Sequence, residues 1–537
     1  MNTWAGGAQP HLRYVALAVL SSVLWFLSCA DFDVWILAWF AMVPLLFVIE
    51  RVTTTRRAFL FAWLTGTVAN GGGFYWIIGM LIRFGHLSWF VSTLLFVVMV
   101  AYQGLVFALF GAVTRVIRQR TSWPMAVVAP FVMVTFELAI PTIMPYSVAI
   151  TQAWQIPVIQ VADLAGMSAV TALLLMVSGA IYDLLIMRPR RVQPALWSAA
   201  ALSAAVLYGY LRMAQIDRVR AAAPRLEIGI VQPNLSFDMK GPDRQAFAER
   251  QRRDLQEQSR QLEAEGAELL VWPETAFPYA IQRTTRSDLA PGAKGRVREG
   301  FTLPVLFGAV SVAHSTPTGT RTWNSAFLLN TDGSYLGRYD KIHLMPISES
   351  FPGYGRSAFI DSVFRGVSSN FQRGDTVKVF ALKTTDGRTW RIGPLICFED
   401  IREDLGRAVA ALHPNVLINL TNDAWFGDTS EPWEHLALSV FRAVETRTDL
   451  VRAVNTGVSA FVDAAGRVTS KTYSVNPLTH PIGADRLRGS VAMLDGGHTV
   501  FTAVGNLFAY GCAALTLFGL LVKRSASTTP GLYTVIT

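Results

Sequence analysis

Residues 214–499 are expected to form an α/β layered domain set between membrane-spanning helices, about seven of them before it (1–213) and one after it (500–522). Three observations predict this arrangement. Of the 537 residues, 52% are hydrophobic and only 16% are charged, against about 25% charged in an ordinary soluble domain. Apolar runs, most of them long enough to cross about 30 Å of hydrocarbon, recur through the first 211 residues and return once near the end. Between them the pattern changes to short apolar strands alternating with amphipathic helices, as layered α/β domains require.

The apolar runs fall at 12–30, 34–49, 58–82, 89–114, 124–146, 161–187, 194–211 and 500–522. The run at 34–49 is short and contains Pro44. More spans follow the first at once and no small-residue cleavage site precedes them, so the first run reads as a span and not as a cleaved signal. Lys and Arg gather at Arg51, Arg56 and Arg57, at Arg115, Arg118 and Arg120, at Arg188, Arg190 and Arg191, and at Lys523 and Arg524. These are alternate loops plus the C-terminal tail, whereas 31–33 offers Asp31 and Asp33, 83–88 only Arg83, and 147–160 no Lys or Arg. Because basic loops stay on the cytoplasmic side, both termini and the 523–537 tail are expected there, with the 214–499 domain on the outer side. The net charge of +9 follows from the same loops, and with no basic, aromatic-interleaved module nucleic-acid binding is excluded.

Within 214–499 the expected strands are Leu226 to Val231, Glu268 to Trp272, 304–312, 323–330, 335–340, 376–383, 388–396, 415–420, 450–455 and 458–463. Charged or amphipathic helices are expected at 244–266, 401–411 and 432–446. The Asp332-Gly333 and Asp386-Gly387 pairs mark hairpin turns.

Three strand ends carry reactive side chains. Val271-Trp272-Pro273-Glu274-Thr275 puts Glu274 just past an apolar strand, Tyr339-Asp340-Lys341 puts Lys341 at the end of a hairpin strand, and Ile396-Cys397-Phe398-Glu399-Asp400 runs from a strand through Cys397 into a polar helix start. A thiol at such a junction can face the free N–H groups of the helix, which favour thiolate. Each residue alone is commonplace. A strand-end Glu, Lys and Cys in that order in one α/β domain is a combination suited to nucleophilic catalysis. Cys29 and Cys512 lie in apolar runs, so Cys397 has no obvious disulfide partner. No metal-ligand cluster is evident among the eight scattered histidines.

A Glu in Trp-Pro-Glu, a Lys in Tyr-Asp-Lys-Ile-His-Leu-Met-Pro and a Cys in Ile-Cys-Phe-Glu resemble the catalytic Glu, Lys and Cys motifs of the nitrilase superfamily. The runs Asn419-Leu420-Thr421-Asn422-Asp423-Ala424-Trp425-Phe426-Gly427, Pro432-Trp433-Glu434-His435, Arg442-Ala443-Val444-Glu445 and Arg452-Ala453-Val454-Asn455-Thr456-Gly457-Val458-Ser459 are similar to its membrane-bound branch, the apolipoprotein N-acyltransferases. Pro145-Tyr146-Ser147 and Ala162-Asp163-Leu164-Ala165-Gly166 are the best matches in the membrane part. Three departures stand out. Ile347-Ser348-Glu349 replaces the usual Phe-Gly-Glu, Phe398 stands where a Tyr often follows the Cys, and no Trp follows Val231-Gln232-Pro233-Asn234.

The resemblance implies a nitrilase-like αββα sandwich facing the periplasm of an inner-membrane enzyme; nothing in the sequence requires more than a monomer, and no cofactor is expected. It implies Cys397 as nucleophile, Glu274 as general base and Lys341 as the cation facing the oxyanion, supported by Glu349, Glu399 and the Phe398 backbone N–H. The donor it implies is a phospholipid, phosphatidylethanolamine by family habit, and the acceptor is the α-amine of the lipidated N-terminal cysteine of a diacylglyceryl apolipoprotein. Trp425, Phe426, Phe351, Tyr354 and Trp433 are expected at a lipid-facing rim. The rival readings are a membrane-tethered amidase using the same three residues with water as acceptor, and a non-catalytic membrane scaffold. Glu137 and Asp163 sit in or beside apolar runs, where ionisable groups are often functional, and Asn70 with Gly71 to Gly73 is expected to allow close helix packing.

Overall fold

The computed structural model describes residues 9–83, 85–187, 191–235, 244–316, 319–345, 349, 370–384, 386–472 and 485–522. Phe351, Tyr354, the rest of the divergent loop apart from Glu349, and the 523–537 tail lie outside the described residues.

Among the described residues thirteen strands build two sheets. The first contains β1 (Arg225–Gln232), β2 (Leu269–Trp272), β3 (Ile281–Gln282), β4 (Val305–Thr316), β5 (Gly319–Leu329), β6 (Tyr335–Asp340) and β13 (Asp485–Ala492), in the order β13-β1-β2-β4-β5-β6 with β3 beside β4. The second contains β7 (Phe380–Lys383), β8 (Thr389–Ile396), β9 (Val416–Thr421), β10 (Asp449–Val454), β11 (Ala460–Val462) and β12 (Val468–Lys471), in the order β12-β11-β10-β9-β8-β7. In the first sheet β2 and β4 are parallel, and β5 runs antiparallel to both β4 and β6. The ends of β2 and β6 therefore emerge on the same edge. In the second sheet β8, β9 and β10 are parallel, so their ends also emerge together.

The period of two decides what packs where. Ile228, Ile230, Val271 and Leu328 face Ile392, Ile396, Ile418 and Leu420 between the sheets. Their strand neighbours Val231, Leu270 and Trp272 point outward and bury Leu255 and Leu262 of the Arg244–Ala264 helix. On the other side Leu395, Leu417 and Leu450 meet Leu405 and Val409 of the Glu403–Ala410 helix and Leu436 and Val440 of the Glu431–Thr446 helix. The layers are helix, sheet, sheet, helix, as expected. That last core continues without a break into Ile159, Ala162 and Met167 of the apolar N-terminal part, so the Glu431–Thr446 helix is covered on both sides.

Among the described residues three helices are long and apolar enough to cross a membrane: Trp89–Arg120, Met167–Ile186 and Val192–Ala222. The other apolar runs give shorter helices. The 34–49 run splits into a 3-10 turn, Trp35–Trp39, and the Val43–Arg51 helix with Pro44 in its first turn. The 58–82 run breaks between Thr55–Gly73 and Trp76–Arg83, and the helix of the 124–146 run, Met125–Ala139, stops before Pro141. Gly166, at φ +66°, interrupts 161–187, and a Cβ there would lie 2.6 Å from Phe501.

The glycine expectation holds at one position of three. A Cβ on Gly72 would meet Phe26 at 2.8 Å, whereas Gly71 and Gly73 face open space. Close approach occurs instead at Gly66 against Phe107 and at Gly111 against Ala58 and Ala62. Asn70 accepts from Gln103 Nε2 at 2.9 Å, and Gln103 accepts from Met144 N at 2.9 Å.

Glu137 takes Val148 N at 2.7 Å and so caps the Val148–Gln152 turn. Asp163 ties the apolar part to the sandwich. Its Oδ2 accepts from Arg447 Nη2 at 2.8 Å and Arg212 Nε at 2.8 Å, and its Oδ1 from Tyr208 at 2.6 Å. Arg447 also donates to Gln160 Oε1 at 2.7 Å and Ala464 O at 3.0 Å. Removing one partner of a buried pair strands the other charge. Asp163→Ala is thus expected to cost about 3–5 kcal/mol, read as denaturant unfolding in detergent, and Asp163→Ala with Arg447→Met is expected to recover part of the loss.

Candidate functional site

Sheet topology delivers the three strand-end residues to one place. Glu274 follows β2 through Pro273, and Gly308 of β4 lies so close behind it that a Cβ there would sit 2.5 Å from Pro273 O and 2.7 Å from Glu274 Cα. Lys341 follows β6. Its Nζ is 3.0 Å from Glu274 Oε1 and 2.8 Å from Glu349 Oε2, with the lysine 1% exposed. Asn324 on β5 bridges the two carboxylates, donating from Nδ2 to Glu274 Oε1 at 2.6 Å and to Glu349 Oε1 at 2.8 Å. Glu349 is held in turn by Met345 N at 2.8 Å. The second oxygen of Glu274, Oε2, is buried with no hydrogen-bond partner among the described residues.

Cys397 follows directly on β8 of the facing sheet. Its φ of +56° is left-handed backbone, which costs a non-glycine residue about 1–3 kcal/mol and persists only where surrounding structure imposes it. Two contacts impose it here. Asn419 Nδ2 donates to Cys397 O at 2.8 Å. Glu399, completely buried, accepts from Ile396 N at 2.9 Å, Ile342 N at 2.7 Å, His343 N at 3.0 Å and Tyr339 OH at 2.8 Å. One carboxylate thereby fixes the backbone on both sides, next to Cys397 and next to Lys341. Phe398 places its ring 5.4 Å from Lys341 Nζ, a cation–π contact that needs no hydroxyl.

The electrostatics correct one expectation. The element after Cys397 is a single 3-10 turn, Cys397–Ile401, and not a helix start able to favour thiolate. Burial and the Glu274 carboxylate push the thiol well up, with Lys341 pulling the other way. Burial also raises the Glu274 carboxyl, opposed by Lys341 and assisted by Glu349. Burial disfavours the Lys341 ammonium, but the Cys397 sulfur, Glu274 and Glu349 outweigh it and keep the lysine charged. Burial pushes Glu399 up to about 7 against the pull of its donors. The resting site thus holds a protonated thiol beside a carboxyl of raised affinity for protons and a fixed cation. A thiolate there would lie beside Glu274, a carboxylate able to take its proton, and Lys341, a cation able to face its charge.

The expected lipid rim is more buried than its sequence implies. Phe426, 3% exposed, packs edge-on to Trp76 with ring centroids 4.9 Å apart. Arg83 Nη2 donates to Phe426 O at 2.8 Å, and Trp76 Nε1 donates to Glu434 Oε2 at 3.3 Å. Trp425 is half-buried in the same cluster, and Trp433 is half-buried with Lys471 Nζ 4.4 Å from its ring. Phe426 is therefore core against the Trp76–Arg83 helix, which docks the 423–434 segment on the apolar part.

Several residues of this region were not singled out from the sequence. Asn324 and Asn419 are polar residues inside apolar strands, and Arg452 is a charge within fully buried β10; Asn419 and Arg452 stand in the quoted runs but with no role of their own there. A buried polar residue in a strand is a signal that it serves something. Asp423, Glu431 and His435 also come together, with ligand-capable atoms within 4.8 Å of one another. The i, i+4 spacing of Glu431 and His435 was the available sign.

Comparison with known proteins gives the following. Residues 21–180 match the apolipoprotein N-acyltransferase N-terminal domain, and residues 227–478 match the carbon-nitrogen hydrolase family. The chain is similar to the apolipoprotein N-acyltransferase of Geobacter metallireducens, 31% identical over 94% of each chain. It is also similar to that of Pasteurella multocida, 26% identical over 95% of this chain and 96% of the relative. Among solved structures it is similar to Saccharomyces cerevisiae Nit3, a member of branch 10 of the nitrilase superfamily, with 15% identity, TM-score 0.35, and coverage of 53% of this chain and 95% of that one.

Proposed function

The chain belongs to the apolipoprotein N-acyltransferase family, and we propose that it moves an acyl chain from a phospholipid, through a thioester on Cys397, to the α-amine of the lipidated N-terminal cysteine of an apolipoprotein. In the first half-reaction Glu274 takes the Cys397 proton as sulfur attacks the ester carbonyl. The C–S bond forms, the C–O bond breaks, and the proton passes from Glu274 to the departing lysophospholipid oxygen. In the second the acceptor amine gives its proton to Glu274 and attacks the thioester. The C–N bond forms, the C–S bond breaks, and Glu274 returns the proton to sulfur. Lys341 Nζ and the Phe398 backbone N–H face the tetrahedral oxyanion in both. Glu349, Asn324 and Glu399 position Lys341, and Asn419 with Glu399 positions Cys397.

The observation that carries this reading is the buried Glu274–Lys341–Glu349 cluster aligned with a left-handed Cys397 from the facing sheet. An amine with an ordinary pKa near 8 must lose a proton to attack, so a base beside the thioester is a chemical necessity. The donor proposed is phosphatidylethanolamine and the enzyme a monomer. The layout proposed is a membrane domain 1–213, a periplasmic catalytic domain 214–499, a last span 500–522 and a cytoplasmic tail 523–537. Eight inner-membrane spans with both termini cytoplasmic are supported by the alternation of basic and basic-poor loops.

The test is intact-protein mass spectrometry of the detergent-purified chain after incubation with phosphatidylethanolamine and no acceptor. The expected result is one hydroxylamine-labile acyl adduct per chain, discharged to amide by a diacylated lipopeptide. Steady release of free fatty acid with no adduct and no amide product overturns the transferase reading in favour of hydrolysis.

A further inference from the structure

Beside the thioester site lies a second buried cluster that the reaction does not use. Glu431 and His435 stand one turn apart on the Glu431–Thr446 helix, and Asp423 reaches them from the turn after β9. They are 7%, 4% and 1% exposed. His435 Nε2 is 2.9 Å from Asp400 Oδ1, so the hydrogen of a neutral imidazole sits on Nε2 and the lone pair on Nδ1. That lone pair faces Asp423 Oδ1 at 3.4 Å and Glu431 Oε1 at 3.6 Å. With the imidazole neutral, three acceptors converge there; a second ring proton would make Nδ1 a donor to Asp423, and, against burial and Arg452, the Asp400 and Asp423 carboxylates raise the imidazole's affinity for it. His435 Nδ1 and Glu431 Oε2 have no hydrogen-bond partner among the described residues. The nearby cation, Arg452, is committed to Asp400 Oδ2 at 3.0 Å and Asp423 Oδ2 at 2.9 Å.

Both the spacing and the charge fit a metal. Ligand atoms at about 2.1 Å from a tetrahedral zinc ion are separated by about 3.4 Å, which is longer than a direct hydrogen bond and matches the two separations here. With Glu431 ionised and the imidazole neutral, Asp400, Asp423 and Glu431 against Arg452 leave two negative charges in this buried place, which a dication neutralises; without one, burial and Asp423 push the Glu431 carboxyl well up toward its protonated form. The Asp400 carboxylate on the far imidazole nitrogen is the usual partner that fixes the tautomer of a metal-bound histidine.

We propose that Asp423, Glu431 and His435 hold a divalent metal ion, zinc by the match to one imidazole and two carboxylates, with Asp400 orienting the histidine. The ion's role is structural, with three protein ligands and a water completing the tetrahedron. The ion locks the helix to the turn after β9 and, through Asp400, to the Cys397–Ile401 turn that carries the nucleophile, and none of its ligands touches the reacting atoms.

The full-length chain in detergent is stripped with a chelator and titrated with Zn(II), its metal content read by inductively coupled plasma mass spectrometry and its unfolding temperature followed. One equivalent is expected to bind and to raise the unfolding temperature, and Co(II) in its place is expected to give tetrahedral d–d absorption. Glu431→Gln keeps the side-chain shape and is expected to lose the equivalent. Asp400→Asn is expected to weaken Zn(II) about 10–100-fold. If the stripped wild-type chain takes up no more Zn(II) than Glu431→Gln, the proposal fails and protons on Glu431 and His435 hold the cluster together. The wild-type titration decides this even if a variant does not fold.

Discussion

Cys397→Ala is expected to abolish both the acyl adduct and lipopeptide acylation, a loss of at least about 10⁴-fold, because removing the nucleophile removes the covalent route altogether. The alanine chain should unfold much as the wild type does, since Cys397 closes the inter-sheet core as a small apolar group and the Asn419 hydrogen bond goes to its backbone carbonyl, which alanine keeps. Cys397→Ser separates nucleophilicity from geometry. A serine hydroxyl gives up its proton far less readily, and Glu274 is the base proposed to take it. If acylation by Cys397→Ser is within tenfold of wild type, the thioester is not on the route. The pH dependence follows from the same pair. Burial, with Glu349 nearby, raises the Glu274 carboxyl above the ordinary carboxylate range. Glu274 accepts a proton only when ionised, so the acylation rate is expected to fall as pH is lowered through a value higher than that of an exposed glutamate. The limb should vanish in Glu274→Gln, whose residual rate is flat with pH. Single-turnover acylation across pH measures it.

The residues legible from sequence share one property, that their role is set by local chain position. Glu274, Lys341 and Cys397 each end an apolar strand, and strand ends are where a sheet presents side chains, so their convergence followed from topology once the layers were known. Glu399 was legible as a neighbour of Cys397. Its contact with Ile342 and His343 was not, because it crosses from one sheet to the other. β13 escaped notice for a related reason. Its sequence, Asp485-Arg486-Leu487-Arg488-Gly489-Ser490, alternates charge with small and apolar groups on an exposed edge, and it is a strand only because β1 pairs with it along its whole length. Phe426 was expected at a lipid surface because an aromatic in a loop looks exposed. Whether it is depends on the Trp76–Arg83 helix, 343 positions before it at the Arg83 contact. Hydropathy likewise marks apolar runs but not the breaks within them. Gly166 bends the chain because Phe501, from the other end of the sequence, fills the space a side chain there would need.

Lys341→Met is expected to lose activity and stability together, and the two losses should respond differently to a second change. The methionine fits the lysine stem but leaves Glu274 and Glu349 buried around Asn324 with no cation. Two carboxylates so close cannot both stay ionised away from water, and one must take a proton. Breaking a buried pair in this way costs about 3–5 kcal/mol. The rate is expected to fall about 10²–10³-fold or more, since the cation proposed to face the oxyanion is gone and burial favours the proton on Glu274, the proposed base, 5% exposed against 7% for Glu349. Adding Glu349→Gln removes one of the two charges and is expected to recover most of the stability while the rate stays low. Denaturant midpoints and single-turnover acylation, measured on the same three proteins, separate the contributions. If Lys341→Met alone retains wild-type acylation, the oxyanion is stabilised elsewhere and Lys341 serves only to balance charge. If Glu349→Gln restores the rate together with the stability, the activity loss came from misfolding of the cluster and not from the missing cation. The stated assignment requires the remaining pattern, stability restored and chemistry not, because only a group needed in the transition state leaves a deficit after the ground state has been repaired.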